Sequence, residues 1–292
     1  MPKISFQQNK LLSELCTLGI GGPARLFLTV HSIEEMQEAL KECKTQNLPF
    51  MILGKGSNCL FDDRGFNGVV ILNKIDFVER PSPNTFHVGA GYSFSLLGSQ
   101  TARQGYSGLE FASGIPGSVG GAVFMNAGAN GNETSNTLIE VDFVSEEGIL
   151  QKLKKSEIVF SYRHSSFHEI PGAIVGATFE LIPSAAARQK QIEIIDYRKK
   201  TQPYRDKSAG CVFRNPTCGH AGALIEQSGL KGASVGGAKV SEIHANFLVN
   251  AGGATEQDMQ NLIAVVKTKV MEKAGVHLEN ELRCIPYEMV EK

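Results

Sequence analysis

The sequence predicts an α+β fold of short strands and short helices joined by glycine-rich turns. Short strand-like segments of four or five residues recur at 50–53, 69–72 and 86–90, the first two wholly apolar, the length of buried strands. Separate windows of helical periodicity precede and follow them, at 32–46 and 95–104, and 31 glycines are spread over the 292 residues. A chain of this length supports about two domains with a sizeable core.

Taken in order, the turn Leu18-Gly19-Ile20-Gly21-Gly22-Pro23 leads into a strand at 25–30. Ser32 and Glu35 form a capping-box signature. Ile33, Met36, Ala39, Leu40 and Cys43 follow at helical spacing and predict a helix over 32–46. The strand at 50–53 runs straight into Gly54-Lys55-Gly56-Ser57-Asn58, a candidate phosphate cradle. It is not the dinucleotide fingerprint, because no third glycine opens a helix at the required offset, and it is not a Walker loop. Strands at 69–72 and 86–90 and a helix over 95–104, ended by Gly105, come next.

The stretch from Ser113 to Gly128 has glycine at 114, 117, 120, 121 and 128, with Pro116 among them. Without Cβ atoms the backbone can approach a ligand closely. Pro116 suits the first position of a helix over 117–125, whose N-terminal amides would face an anion. The guest would be a phosphate-bearing cofactor; the same density also fits a close-packed structural turn.

Segments 141–144 and 149–153 alternate around Glu146-Glu147-Gly148, which predicts a hairpin. The polar cluster Tyr162-Arg163-His164-Ser165-Ser166-Phe167 precedes a strand at 173–182. Ser184 caps a predicted helix over 184–200. From there to Lys239 the chain is locally basic, with Arg198, Lys199, Lys200, Arg205, Lys207, Arg214, Lys231 and Lys239. Solvated helix faces explain several of these, and a pocket for an anionic substrate explains the loop arginines better. A short helix is predicted over 221–228, closed by Gly229, and Thr255 with Asp258 caps another that ends at Gly275. The last element, 276–285, alternates, with Glu279, Glu281 and Arg283 on one face. Such charges form a surface ladder or an acid poised in a site.

Composition narrows the class. A net charge of −1 disfavours a general nucleic-acid or membrane-surface partner. No window approaches a membrane-spanning run of about 18 apolar residues, and the first ten residues lack an apolar signal segment. The expectation is a cytoplasmic enzyme or binding protein. The cysteines at 16, 43, 59, 211, 218 and 284 are read as thiols. Cys211, Cys218 and His220 fit no common zinc spacing, so no metal is expected. Gly232-Ala233-Ser234-Val235-Gly236 matches G-x-S-x-G but lacks the strand before and the helix after that a nucleophile elbow needs.

Five motifs occur in one order: Gly54-Lys55-Gly56-Ser57-Asn58; the glycine stretch from Ser113 with Asn126-Ala127-Gly128; Tyr162-Arg163; Gly210-Cys211-Val212-Phe213-Arg214-Asn215-Pro216; and Glu281-Leu282-Arg283. In this the chain resembles the UDP-N-acetylenolpyruvoylglucosamine reductase family over nearly its whole length. It is similar to the shorter branch, with no room for an extra substrate-covering insertion. The resemblance implies a two-part FAD-binding domain of the vanillyl-alcohol-oxidase type, at 1–75 and 76–197, and a C-terminal α+β substrate domain at 198–292. It assigns FAD to Gly54, Lys55, Gly56, Ser57, Asn58, Gly114, Ile115, Pro116, Gly117, Ser118, Gly121, Asn126, Ala127 and Gly128. No histidine stands in the first loop, so dissociable FAD is expected.

The implied chemistry has two half-reactions, hydride transfer from NADPH to flavin and from flavin to the enolpyruvyl double bond of the UDP-sugar. Arg163 and Glu281 would neutralise the enolate that develops, Glu281 as a protonated carboxyl. Cys211 stands where most members have serine, and is assigned as general acid. A thiol titrates near 8.5, so it remains mainly protonated at neutral pH. Tyr162, Arg214, Asn215 and Gln227 are the expected substrate contacts. An oxygen-dependent oxidoreductase of the same fold would share the FAD loops without the last three motifs. A non-catalytic UDP-sugar binder would not need Arg163, Cys211 and Glu281 together.

Overall fold

The computed structural model describes residues 4–288. Its helices are α1 (Ile33–Thr45), α2 (Phe94–Arg103), α3 (Val119–Phe124), α4 (Ala187–Thr201), α5 (Ala221–Gln227) and α6 (Glu256–Ala274), set among short strands in an α+β arrangement. The chain divides into two compact units. The first comprises Phe27–Lys55 and Val69–Arg198 with the stretch up to Gln7; the second comprises Gln8–Leu26, Gly56–Gly68 and the chain from Lys199 onward.

In the first unit an antiparallel five-stranded sheet runs in the order Leu150–Lys154, Leu138–Ser145, Gly172–Glu180, Thr85–Gly89 and Val78–Ser82. The predicted hairpin is present, with Val144 opposite Leu150 and Asp142 opposite Lys152. Phe86, Val88, Val141, Phe143, Ala177 and Phe179 pack with Leu97, Val119 and Val123 into one core. Ser32 starts α1: its hydroxyl accepts from Glu35 N–H at 3.2 Å, while the Glu35 carboxylate accepts from His31 N–H. Met36, Ala39, Leu40 and Cys43 form the buried stripe of α1 that the spacing predicts. Phe50–Leu53 pairs in parallel with Val69 to Leu72, and ends where the first glycine loop begins.

Two expectations are corrected here. Ser184 does not cap α4, which begins at Ala187; the Ser184 carbonyl instead accepts from Ala187 N–H in a preceding turn. Pro116 is not the first residue of a helix, because Val119 is, with Ser118 as the cap.

In the second unit Lys207–Cys211, Phe247–Asn250, Ala238–Val240 and Ser234–Val235 form an antiparallel sheet in that order. Against it α6 buries Met259, Leu262, Ile263, Val266 and Val270, the predicted stripe, and Leu18, Ile20 and Leu60 join the same core. Thr255 and Asp258 make a complete capping box, and Gly275 closes α6 at φ +67°. The final segment is a ladder strand only at Arg283–Ile285, parallel to Cys59–Phe61. The G-x-S-x-G sequence is a hairpin: Ser234 faces Lys239, and Gly236 lets Asp258 approach where a Cβ would lie 2.2 Å from its Oδ1.

One polar cluster sits on the first unit's sheet. His87 Nε2 lies 2.6 Å from Asp142 Oδ2, and its Nδ1 3.2 Å from Glu79. Lys152 Nζ reaches Asp142 Oδ1 at 3.2 Å and Glu140 at 3.0 Å. The pair spans a strand at Gly176, where a Cβ would come within 2.6 Å of Asp142 Oδ2. The hydrogen bond to Asp142 raises His87 above the ordinary imidazole value, against partial burial. Burial works against the Asp142 charge, but the His87 and Lys152 bonds outweigh it and hold the carboxyl below its usual value. A raised His87 therefore adds stability that is complete below about pH 6.5 and is lost as pH climbs through its folded value. The melting-temperature gap between wild type and His87→Gln is expected to be widest near about pH 5.5 and to shrink toward about pH 9. A gap that is constant or grows with pH contradicts this.

Candidate active site

The sequence Lys207-Ser208-Ala209-Gly210-Cys211 is poor in β-formers, yet it is a strand because Phe247–Asn250 pairs with it. The ladder is interrupted between Ser208 and Cys211, and Gly210 within that bulge has φ +75°. A bulge re-aims the residue beside it, here the half-buried Cys211. Asn246 then holds the departing chain. Its carbonyl accepts from Val212 N–H at 2.8 Å, its Oδ1 from Phe213 N–H at 2.9 Å, and its Nδ2 donates to the Phe213 carbonyl at 2.8 Å. With 2% exposure, Asn246 is a buried polar bracket whose side-chain groups find partners in one residue.

The Val212 carbonyl accepts from two amides, Glu281 at 2.8 Å and Leu282 at 3.2 Å. Segments far apart in sequence are thereby brought side by side, with Glu281 next to the residue that follows Cys211. Asn58 holds the other edge of Glu281. Its Nδ2 donates to the Glu281 carbonyl at 3.2 Å, and its own carbonyl accepts from Arg283 N–H at 3.2 Å. Phe213 bridges Asn280, and Arg214 N–H donates to the Glu279 carbonyl at 2.9 Å.

Arg163 belongs to the first unit. Phe160–Ser161 and His164–Ser165 form a two-stranded hairpin whose two turn residues are Tyr162 and Arg163. Arg163 has φ +58°, a conformation that disfavours any residue with a Cβ. Its Nη2 donates to the Gly128 carbonyl at 2.9 Å, and its guanidinium lies 4.8 Å from the centroid of the Tyr162 ring.

The two glycine stretches meet within the first unit. A Cβ on Gly54 would lie 2.3 Å from Ser118 Oγ, the hydroxyl that caps α3. The first amides of α3 are not available to an anion: Val119 N–H donates to the Tyr92 carbonyl, Gly120 N–H to Ala90, and Gly121 N–H to Ser118 Oγ. This corrects the expectation of a helix-end phosphate site. Among the described residues none accepts from the amides of Gly117 and Ser118, so the donors of this turn precede the helix.

Comparison with known proteins adds to this geometry. A model described as an FAD binding domain matches residues 24–154. A model of the UDP-N-acetylenolpyruvoylglucosamine reductase C-terminal domain matches residues 202–285. A UDP-N-acetylenolpyruvoylglucosamine reductase from Protochlamydia amoebophila (strain UWE25) is 62% identical over 284 residues, covering 97% of this chain and 95% of that one. This chain belongs to the UDP-N-acetylenolpyruvoylglucosamine reductase family. A second member, from Chlamydia felis (strain Fe/C-56), is 46% identical over 285 residues, covering 98% and 96%. The crystal structure of the reductase from Thermus caldophilus superposes with a TM-score of 0.82 at 36% identity, covering 97% of this chain and all of that one (100%).

The residues present fit the FAD such a reductase carries. The crowding of Gly54 against Ser118 leaves no room for a side chain at position 54, and the amides of Gly117 and Ser118 have no acceptor among the described residues. Lys55 of the first loop is exposed, yet partial desolvation lowers its ammonium below the usual value, with Lys74 adding repulsion. Gly56 has φ +59° and accepts from Thr17 N–H at 3.1 Å. Other members of the expected FAD set are held internally. Gly114 N–H donates to Ser95 Oγ at 2.7 Å, and Ile115 and Ala127 pack on the core. The Ala127 carbonyl accepts from both the amide and the hydroxyl of Thr134.

Of the expected substrate contacts, Asn215 Oδ1 accepts from Ala221 N–H at 3.0 Å and so starts α5, while Gln227 is exposed at its end. Arg214 Nη1 is 4.0 Å from Glu279, and its Nε is buried with no protein partner among the described residues. Lys231 and Lys239 are paired with Glu226 and Glu242, each at 2.6 Å, which removes two cations from the expected basic pocket. Asn246 was not foreseen, since no motif marks it, and Asn58, expected in the FAD loop, also grips Glu281.

Gly54→Ala is expected to weaken FAD binding about tenfold or more, roughly 1.4 kcal/mol, because its methyl must displace Ser118. A fluorescence titration of the apoprotein that returns the wild-type Kd contradicts the cradle.

Proposed function

We propose that the chain reduces the enolpyruvyl double bond of UDP-N-acetylglucosamine enolpyruvate, giving the peptidoglycan precursor UDP-N-acetylmuramate. NADPH is the hydride donor and dissociable FAD the carrier. Family membership across almost the whole chain supports this. The observation that carries it is the Val212 carbonyl, which accepts from Glu281 N–H and so joins the Cys211 strand to the final segment.

Bound FAD supplies the hydride relay between NADPH and the terminal vinyl carbon. The chain's own residues handle the charge and the proton. Hydride addition at the terminal carbon develops an enolate on the carboxylate side. Arg163 offers the carboxylate a rigid cationic fork, and Glu281 donates a hydrogen bond to the enolate oxygen. Cys211 then gives its Sγ–H proton to the adjacent carbon, and solvent restores the thiol. Tyr162, Arg214, Asn215 and Gln227 hold the UDP-sugar. In this reading 1–75 and 76–197 are the parts that bind FAD, 198–292 binds the substrate, and the enzyme works in the cytoplasm.

Half-reactions separate these roles. Cys211→Ala is expected to keep flavin reduction by NADPH within about twofold, while reoxidation by the enolpyruvyl UDP-sugar falls at least about a hundredfold, the lower range for a lost general acid. Cys211→Ser should retain substantial reoxidation. Equal losses in both half-reactions of the alanine variant, or an inert serine variant, contradict the assignment.

A further inference from the structure

We propose that Asn126 is a positioning residue for Arg163, and that its side chain serves the substrate half-reaction rather than FAD. This rests on Arg163 meeting the substrate carboxylate, as argued above.

Asn126 has 0% exposure and φ +43°, directly after the last turn of α3. Both ends of its amide are engaged by backbone. Nδ2 donates to the Ser161 carbonyl at 3.0 Å, and Oδ1 accepts from Ser135 N–H at 3.0 Å. Fully buried, with both polar groups of its side chain bonded to backbone, Asn126 is placed to hold neighbouring segments together rather than to reach out to a cofactor.

The Ser161 bond points instead at the Tyr162–Arg163 turn. Ser161 is the last strand residue before that turn, paired with His164 on its far side. Arg163 answers from the turn itself, its Nη2 donating to the carbonyl of Gly128, two residues beyond Asn126. The two bonds form a reciprocal clasp: the asparagine loop grips the base of the hairpin, and the hairpin's arginine grips the asparagine loop. Ser165 Oγ adds a third tie by donating to the Phe124 carbonyl at 2.6 Å. A clasp of this kind is what a strained turn needs. At φ +58° Arg163 would relax to a commoner conformation unless its surroundings held it. Relaxation would swing the guanidinium away from a fixed direction, and displacements of about 1 Å at a reacting group can cost two orders of magnitude in rate.

Asn126→Asp is the sharpest probe. Aspartate tolerates positive φ and keeps the acceptor for Ser135, but it sets an oxygen against the Ser161 carbonyl. The variant is expected to bind FAD and accept hydride from NADPH within about twofold of wild type, while reoxidation by the enolpyruvyl UDP-sugar slows about tenfold or more. In an Arg163→Ala background the same change should cost less than about twofold, because residues acting through one another are not additive. Equal loss in both half-reactions, or a full tenfold loss on top of Arg163→Ala, overturns the positioning role while leaving Arg163 itself standing. An Arg163→Ala enzyme that reoxidises at the wild-type rate sinks the Arg163 assignment and the positioning role with it. If Asn126→Asp does not fold, Asn126→Gly keeps the positive φ and carries the same comparison. Failure of both to take up FAD assigns Asn126 to folding alone and overturns the proposal.

Discussion

The Val212 carbonyl is the joint on which the second unit's chemistry depends. By accepting from Glu281 and Leu282 together it ties the Cys211 strand to the final segment, though that segment meets the ladder only at Arg283–Ile285. Buried backbone groups are almost always matched, so a carbonyl with two donors pins both chains. Asn246 fixes the same stretch from behind through Val212 and Phe213, and Asn58 fixes Glu281 from its other edge. Candidate acid and candidate enolate partner are thus held by backbone bonds, whose geometry does not depend on the rotamers of the reactive side chains. Such support is what precise catalytic placement requires.

The first unit solves its problem differently. There the backbone is held in the left-handed region at Asn126 (φ +43°), which asparagine tolerates, and at Arg163 (φ +58°), which arginine avoids, and ties join their loops. Glycine is used where loops must touch, as at Gly54 against Ser118, and where a polar pair must cross a strand, as at Gly176 beneath His87 and Asp142. The clasped Arg163 turn and the crowded Gly54 are places where local rules yield at residues proposed for function.

Much of this was legible in the sequence, and for physical reasons. Ser32, and Thr255 with Asp258 and Gly275, mark real helix ends because capping chemistry is local. The stripe Met259, Leu262, Ile263, Val266 and Val270 is buried as its period requires. The five motifs located the glycine loops, the Arg163 turn, the Cys211 loop and Glu281. What escaped was of two kinds, helix caps misplaced by a few residues and partnerships distant in sequence. Lys207–Cys211 is a strand by partnership rather than propensity. Pro116 suggested a helix start that lies at Val119, because Ser118 supplies the cap. Ser184 suggested a cap that α4 does not use. Asn58, Asn126 and Asn246 act through carbonyls and amides far away in sequence, and no spacing rule points from one to the other.

The loop fixed by Val212 presents Cys211 to the substrate in the proposed reaction. Thiol labelling with peptide mapping tests this on the holoenzyme, with exposed Cys218 in the same loop region as an internal control. The enolpyruvyl UDP-sugar is expected to slow alkylation of Cys211 and leave that of Cys218 unchanged. Equal alkylation of Cys211 with and without a saturating concentration of that substrate would contradict it.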